Sequence, residues 1–146
     1  MDTLLPQIEI QENGAHLSAL NVLILDDNVD YADSTATLLG LFGHKVQIAR
    51  NGLMAVSAVI TDRFDVVLVD IGLPGMNGYD FTRWLRSLNL ITPPFVIAIS
   101  GYGADKAKVD SAEYGIDVFL LKPAAPIALK ELLESQAVKP GRLSHA

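Results

Sequence analysis

Cysteine is missing from this sequence altogether, which rules out disulfides and thiolate metal centres alike. Long apolar runs are missing too. No stretch approaches the ~18 residues that a membrane-spanning helix needs, and the start, Met1-Asp2-Thr3-Leu4, lacks the basic residues of a signal peptide. Positive charge is scarce: 11 Lys and Arg stand against 17 Asp and Glu, a net charge of -6, and no basic run occurs anywhere. A nucleic-acid partner would want the opposite balance, because its phosphates are attracted by a basic face. The expectation is a soluble, cytoplasmic protein that engages neither nucleic acid nor membrane.

What the sequence does have is apolar residues, half of its 146 positions, enough for the core of one ordinary domain and short for two. They gather in brief unbroken runs: Val22-Leu23-Ile24-Leu25, Val66-Val67-Leu68-Val69, Phe95-Val96-Ile97-Ala98-Ile99 and Val118-Phe119-Leu120-Leu121. Runs that never alternate with polar residues read as strands buried on both faces, as in the middle of a parallel sheet. Val46-Gln47-Ile48-Ala49 is more polar and reads as an edge strand.

Helical spacing fills the gaps. Ala32, Ala36, Leu39 and Phe42 form one stripe, closed by Gly43. Leu53, Val56 and Ile60 form another after a capping Asn51, and Asn77 caps Tyr79 to Leu88, with Phe81, Trp84, Leu85 and Leu88 facing inward. Ala104 to Tyr114 is helical in composition and stopped by Gly115. Pro126 suits the first turn of a last helix, Ile127 to Gln136, with Ile127, Leu129, Leu132 and Leu133 as its apolar positions. Strict strand and helix alternation implies an α/β fold, a doubly wound five-stranded parallel sheet with right-handed crossovers and helices on both faces. Residues 1–20 read as an N-terminal arm or linker with a short strand at Gln7 to Gln11, residues 21–137 as the domain, and residues 138–146 as a C-terminal tail that frays.

Four strands end in polar side chains: Asp26 and Asp27, Asp70, Ser100 and Lys122. Parallel strands bring their C-terminal ends to one edge, and in strand order 2-1-3-4-5 the crevice lies beside strands 1 and 3, which carry the three carboxylates. Such carboxylates repel one another and need a cation. Oxygen donors without Cys or a nearby His favour Mg²⁺ or Mn²⁺, and the site suits phosphoryl transfer. Asp70 would be the nucleophile, forming an acyl phosphate, while Lys122 balances charge on the phosphoryl oxygens and the Ser100 hydroxyl bonds one of them. Taken singly, each residue has a blander reading. Asp26 or Asp27 could cap the helix after Asn28, Ser100 could be a loop serine, and Lys122 a solvated strand-end lysine. His44, His16 and His145 carry no mark of a phosphorelay histidine.

Together, Asp26-Asp27, Asp70 with Leu73-Pro74-Gly75-Met76-Asn77-Gly78, Ser100-Gly101 and Lys122-Pro123 resemble the motif set of response-regulator receiver domains of two-component signalling, over about Asn21 to Gln136. The resemblance implies a flavodoxin-like fold and a phosphoacceptor domain that is not an enzyme on other substrates but catalyses its own phosphorylation and dephosphorylation. It also implies a histidine kinase or histidine phosphotransfer protein as donor. By position, Asp27 and Asp70 would bind the metal through carboxylates, Gly72 through its carbonyl and Asp26 mostly through water. Lys122-Pro123 would be a cis peptide, and Phe119 would stand where the family's switch aromatic, often Tyr, stands. Phosphorylation would then move Ser100 and re-shape a surface from Ala104 to Gln136 that meets a protein output partner. Only a helix and a tail follow Lys122, so output by protein contact, or membership in a larger protein such as a hybrid kinase, is expected. An Asp-dependent phosphohydrolase would want an acid at Gly72, and a flavin carrier would want a phosphate loop where Asp26-Asp27-Asn28 stands.

Overall fold

In the computed structural model, five strands form one all-parallel sheet: β1 (Asn21–Leu25), β2 (Lys45–Ala49), β3 (Val66–Asp70), β4 (Phe95–Ser100) and β5 (Val118–Leu121). Their order is β2-β1-β3-β4-β5, as the alternation of elements requires. The structure describes residues 19–73, 75–101 and 112–138. Among these, four α-helices connect or follow the strands: α1 (Val29–Leu41), α2 (Gly52–Thr61), α3 (Gly78–Ser87) and α4 (Pro126–Ala137). The strand expected at Gln7 to Gln11, most of the helix expected from Ala104, and the tail after Val138 lie outside the described residues. Ala112–Tyr114 forms a 3-10 turn.

The unbroken apolar runs have a simple cause. Successive residues of a strand point to opposite faces, and each face here meets its own core. Leu23, Leu25, Val67, Val69, Val96 and Ala98 pack with Ala55 and Ala58 of α2 and with Phe81 and Leu85 of α3. Val22, Ile24, Val66, Leu68, Ile97 and Ile99 pack on the other side with Ala32 and Leu39 of α1 and with Leu129 and Leu133 of α4.

Three helices begin on asparagine. Asn28 Oδ1 accepts from the Tyr31 N–H, Asn51 from Met54 and Asn77 from Asp80, at 2.8 to 2.9 Å. Each bond satisfies a donor that the first turn leaves open, so truncation to Ala costs about 0.5–2 kcal/mol. For α1 the cap is Asn28 itself rather than Asp26 or Asp27. After α1 the chain turns at Gly43 (φ +97°), a conformation that glycine adopts without strain.

The buried faces of the helices differ from the expected stripes in several places. Leu53 and Ile60 are 78% and 72% exposed, and α2 instead buries Ala55 and Ala58. Small side chains let the helix approach the sheet closely, and leave its larger ones outside. Leu88 and Ile127 are also exposed, while Thr82 is fully buried and donates to the Gly78 carbonyl.

Charged residues at the N-terminal ends of the strands serve the backbone. Asp65 Oδ2 accepts from Asn21 N–H at 2.8 Å, and Asp117 Oδ2 from Val96 N–H at 2.8 Å and from Arg86 at 3.0 Å. Arg86 donates as well to the carbonyls of Gly115 and Pro94. This one guanidinium ties α3 to the segments preceding β4 and β5.

His44, set between α1 and β2, has a structural role that its sequence context does not announce. Its Nδ1 accepts the Leu20 N–H at 3.1 Å, which requires an unprotonated nitrogen, and Leu20 is buried one residue ahead of β1. Burial lowers its pKa below the ordinary 6.5 against the opposing pull of Glu134 and Asp65. The folded state therefore binds the proton less well than the unfolded chain, so its contribution is complete above about pH 6.5 and declines as pH falls from there. Denaturant titrations from pH 7.5 to 5 are expected to show that loss. In His44→Asn, whose Oδ1 can still accept the Leu20 N–H but cannot be protonated, the slope over this range should flatten. An equal slope in both proteins would place the titrating group elsewhere.

Candidate functional site

At the opposite, C-terminal edge of the sheet the polar side chains converge on one another. Asp26 follows β1 and is 3% exposed. Its Oδ1 accepts the Asn28 N–H at 2.9 Å. Asp70 is the last residue of β3, half-buried, and its Oδ1 accepts the Gly72 N–H at 2.9 Å. Asp27 is exposed beside them. One carboxylate oxygen from each of Asp26, Asp27 and Asp70 lies within 4.8 Å of the others.

Lys122 comes to this cluster from beyond β5, at the far edge of the sheet. Its Nζ stands 3.1 Å from Asp26 Oδ2 and 3.5 Å from Asp70 Oδ2. The Lys122 N–H donates to the Ser100 carbonyl at 2.8 Å, and the Lys122-Pro123 peptide is cis. Ser100, buried at the end of β4, stands one position beyond Ile99, the residue in register with Asp70.

The family model of the response regulator receiver domain matches residues 22–134. This chain belongs to that family. The receiver is 34% identical over 104 residues to the response regulator protein PmrA of Pseudomonas aeruginosa, covering 71% of this chain and 46% of PmrA. It is 31% identical over 112 residues to the sensor histidine kinase RcsC of Salmonella typhi, covering 77% of this chain and 12% of RcsC. It thus spans less than half the length of either relative. A solved receiver domain protein (CheY-like) from Methanospirillum hungatei superposes with TM-score 0.71 at 30% identity, over 82% of this chain and 97% of that one. The receiver is accordingly a domain of the kind that two-component systems use, in response regulators and in kinases that carry a receiver.

The electrostatics of the receiver's edge follow from crowding. Burial raises the pKa of Asp26, and the Asp70 charge raises it further, against the bond from Asn28 N–H and the Lys122 ammonium, which lower it. Burial would lower the pKa of Lys122, but the bond to and charge of Asp26, followed by Asp70, hold it above the ordinary value. Three carboxylates and one ammonium leave an excess of two negative charges, in a group whose donors are all oxygen. That composition fits a hard divalent cation and no soft one.

Of the residues expected at the site, the side chains of Asp26, Asp27, Asp70 and Lys122 meet. Gly72 touches Asp70 through its N–H. Phe119 does not join them. It is half-buried on β5 opposite Ala98 and packs against the core beneath α2 and α3. Tyr31 is the neighbour that sequence reasoning missed, its ring lying under the Lys122 ammonium. A groove of about 570 Å³ bordered by Arg86, Pro93, Pro94 and Asp117 lies at the other strand edge, away from this chemistry.

Proposed function

We propose that this receiver takes a phosphoryl group from a phosphohistidine of a histidine kinase or histidine phosphotransfer protein onto Asp70, and so switches a protein-interaction surface. The observation that carries the reading is the Lys122 ammonium between Asp26 and Asp70, with Asp27 in ligand reach of both acids.

An Asp70 oxygen attacks the phosphorus, a P–O bond forms as the P–N bond to the donor histidine breaks, and the electron pair of that bond returns to the ring nitrogen. Asp26, Asp27, Asp70 and the Gly72 carbonyl would hold Mg²⁺, or Mn²⁺, which would supply positive charge against the phosphoryl oxygens. Lys122 contributes its ammonium to the same oxygens and Ser100 its hydroxyl. Hydrolysis by water at phosphorus breaks the new P–O bond, releases inorganic phosphate and restores the carboxylate. In this sense the domain catalyses reactions on itself only.

The acyl phosphate carries a charge of about -2 at neutral pH where the carboxylate carried -1, and spreads it over three strong acceptor oxygens. Drawing Ser100 toward it would re-shape the surface from Ala104 to Gln136, with Phe119 as the packing element beneath, and so change affinity for a protein output partner. Residues 21–137 form the receiver in this reading, with residues 1–20 as arm or linker and 138–146 as tail. The acidic net charge favours a protein partner, met in the cytoplasm, over nucleic acid or an anionic lipid surface. Among the described residues, no helix is long and apolar enough to cross a membrane.

Metal binding can be tested without any phosphodonor. Calorimetric titration of Mg²⁺ into the protein is expected to show one site, and Asp27→Ala to weaken it by at least ~10-fold, equivalent to about 1.4 kcal/mol. An unchanged titration would remove Asp27 from the ligand set.

A further inference from the structure

Tyr31 lies on the first turn of α1, four residues after Asp27, and its contacts run to residues more than ninety positions later in the chain. The Lys122 Nζ sits 4.6 Å from its ring centroid, within the reach of a cation–π contact. Its hydroxyl accepts the Ala124 N–H at 3.1 Å, two residues beyond that lysine. Its own N–H is held by the capping Asn28, whose N–H in turn binds Asp26. Tyr31 also shares the wall of a cavity of about 10 Å³ with Asp26, Thr35 and Asp70. The ring therefore backs onto the same acids that the ammonium faces.

We propose that Tyr31 is a positioning residue for Lys122: its ring seats the ammonium at the phosphoacceptor, and its hydroxyl fixes the backbone just beyond. The inference rests on the reading that Asp70 accepts phosphate. Lysine is a flexible four-carbon stem with a point charge at its tip, so a cation needed at one place must be held there. Asp26 and Asp70 hold it from one side through hydrogen bonds. A ring face holds it from another without taking up a further N–H donor, so that none is withdrawn from the acids or from a phosphoryl oxygen. The hydroxyl adds a second hold, on the loop rather than on the side chain.

The contact has a signature that does not depend on phosphorylation. In metal-free protein, the Lys122 ε-methylene protons are expected upfield of those of exposed lysines, because the ammonium one bond away stands over the ring. The shift should persist in Tyr31→Phe and vanish in Tyr31→Leu. Its absence from the wild type would overturn the proposal. The role in the reaction is read from the initial rate of phosphorylation by acetyl phosphate at saturating Mg²⁺. Tyr31→Leu should be slower by roughly 3–10-fold, the span a partly buried cation–π contact covers. Replacing position 31 by phenylalanines bearing successive ring fluorines should slow the rate stepwise, since fluorine weakens the negative face of the ring while nearly preserving its shape. A flat series would show that the ring serves packing only and would sink the positioning role. A wild type that shows the shift but takes up no phosphate would overturn the phosphoacceptor reading and leave the contact standing.

Discussion

Asp70→Asn is expected to take up no phosphate from acetyl phosphate and Mg²⁺ under conditions in which the wild type gains the mass of one phosphoryl group. The carboxamide has the size of the carboxylate, and its Oδ1 can still accept the Gly72 N–H that Asp70 accepts at 2.9 Å. Its nitrogen, however, is a poor nucleophile and cannot form the acyl phosphate. The fold should not suffer. Removing one of three clustered carboxylates relieves repulsion, and Lys122 keeps Asp26 at 3.1 Å, so thermal stability should be equal or higher. That separation of effects makes the test clean, because lost labelling cannot be put down to lost structure. Neighbouring acids are poor substitutes for different reasons. Asp26 is 3% exposed, with its oxygens already engaged by the Asn28 N–H and by Lys122. Asp27 is the exposed one, so label that persists in Asp70→Asn and maps to Asp27 would reassign the acceptor.

The edge that carries this chemistry could be read from the sequence because two independent constraints coincide there. Strands buried on both faces must be apolar throughout, so Asp26, Asp70 and Lys122 stand out at their ends, and parallel pairing gathers those ends without any knowledge of side-chain contacts. Helix faces were less legible. In α2, Leu53, Met54, Ala55, Val56, Ala58, Val59 and Ile60 are apolar almost all round, so spacing does not fix the phase. Close approach to the sheet decided it, in favour of Ala55 and Ala58. Pairings between distant elements left no trace at all. Tyr31 meets the backbone at Ala124, 93 residues away, and Arg86 meets Asp117, 31 residues away. A tyrosine on a helix and an arginine near its end are ordinary in themselves, and only the packing of α1 against the segment before α4 brings the first of them to the site.

Gly78→Ala should cost both stability and phosphorylation, although alanine is the better helix former. Gly78 opens α3 directly after its cap, Asn77, and passes close beneath the end of β3. A Cβ there would lie 2.6 Å from Val69 Cγ1, 2.7 Å from the Asp70 carbonyl oxygen and 3.0 Å from Ile71 Cα. Two of these three atoms are backbone, and Val69 is fully buried in the core, so none can give way cheaply. Thr82 clamps the same turn by donating to the Gly78 carbonyl at 2.8 Å. Overpacking of this kind costs about 1–3 kcal/mol, which exceeds the roughly 1 kcal/mol that alanine gains over glycine in a helix interior and gains less of at a first turn. A net loss of about 1–2 kcal/mol corresponds to a fall of roughly 2–8 °C in Tm for a domain of this size. The strain is relieved by moving the strand end that carries Asp70, and a displacement of about 1 Å at a reacting group can cost on the order of 100-fold in rate. Gly40→Ala provides the opposite sign. That glycine lies inside α1, and a Cβ added to it would meet nothing within 4 Å, so the substitution should stabilise by about 0.5–1 kcal/mol and leave phosphorylation unchanged. If Gly78→Ala instead matches Gly40→Ala in both stability and rate, the contact between α3 and the end of β3 does not hold Asp70 in place.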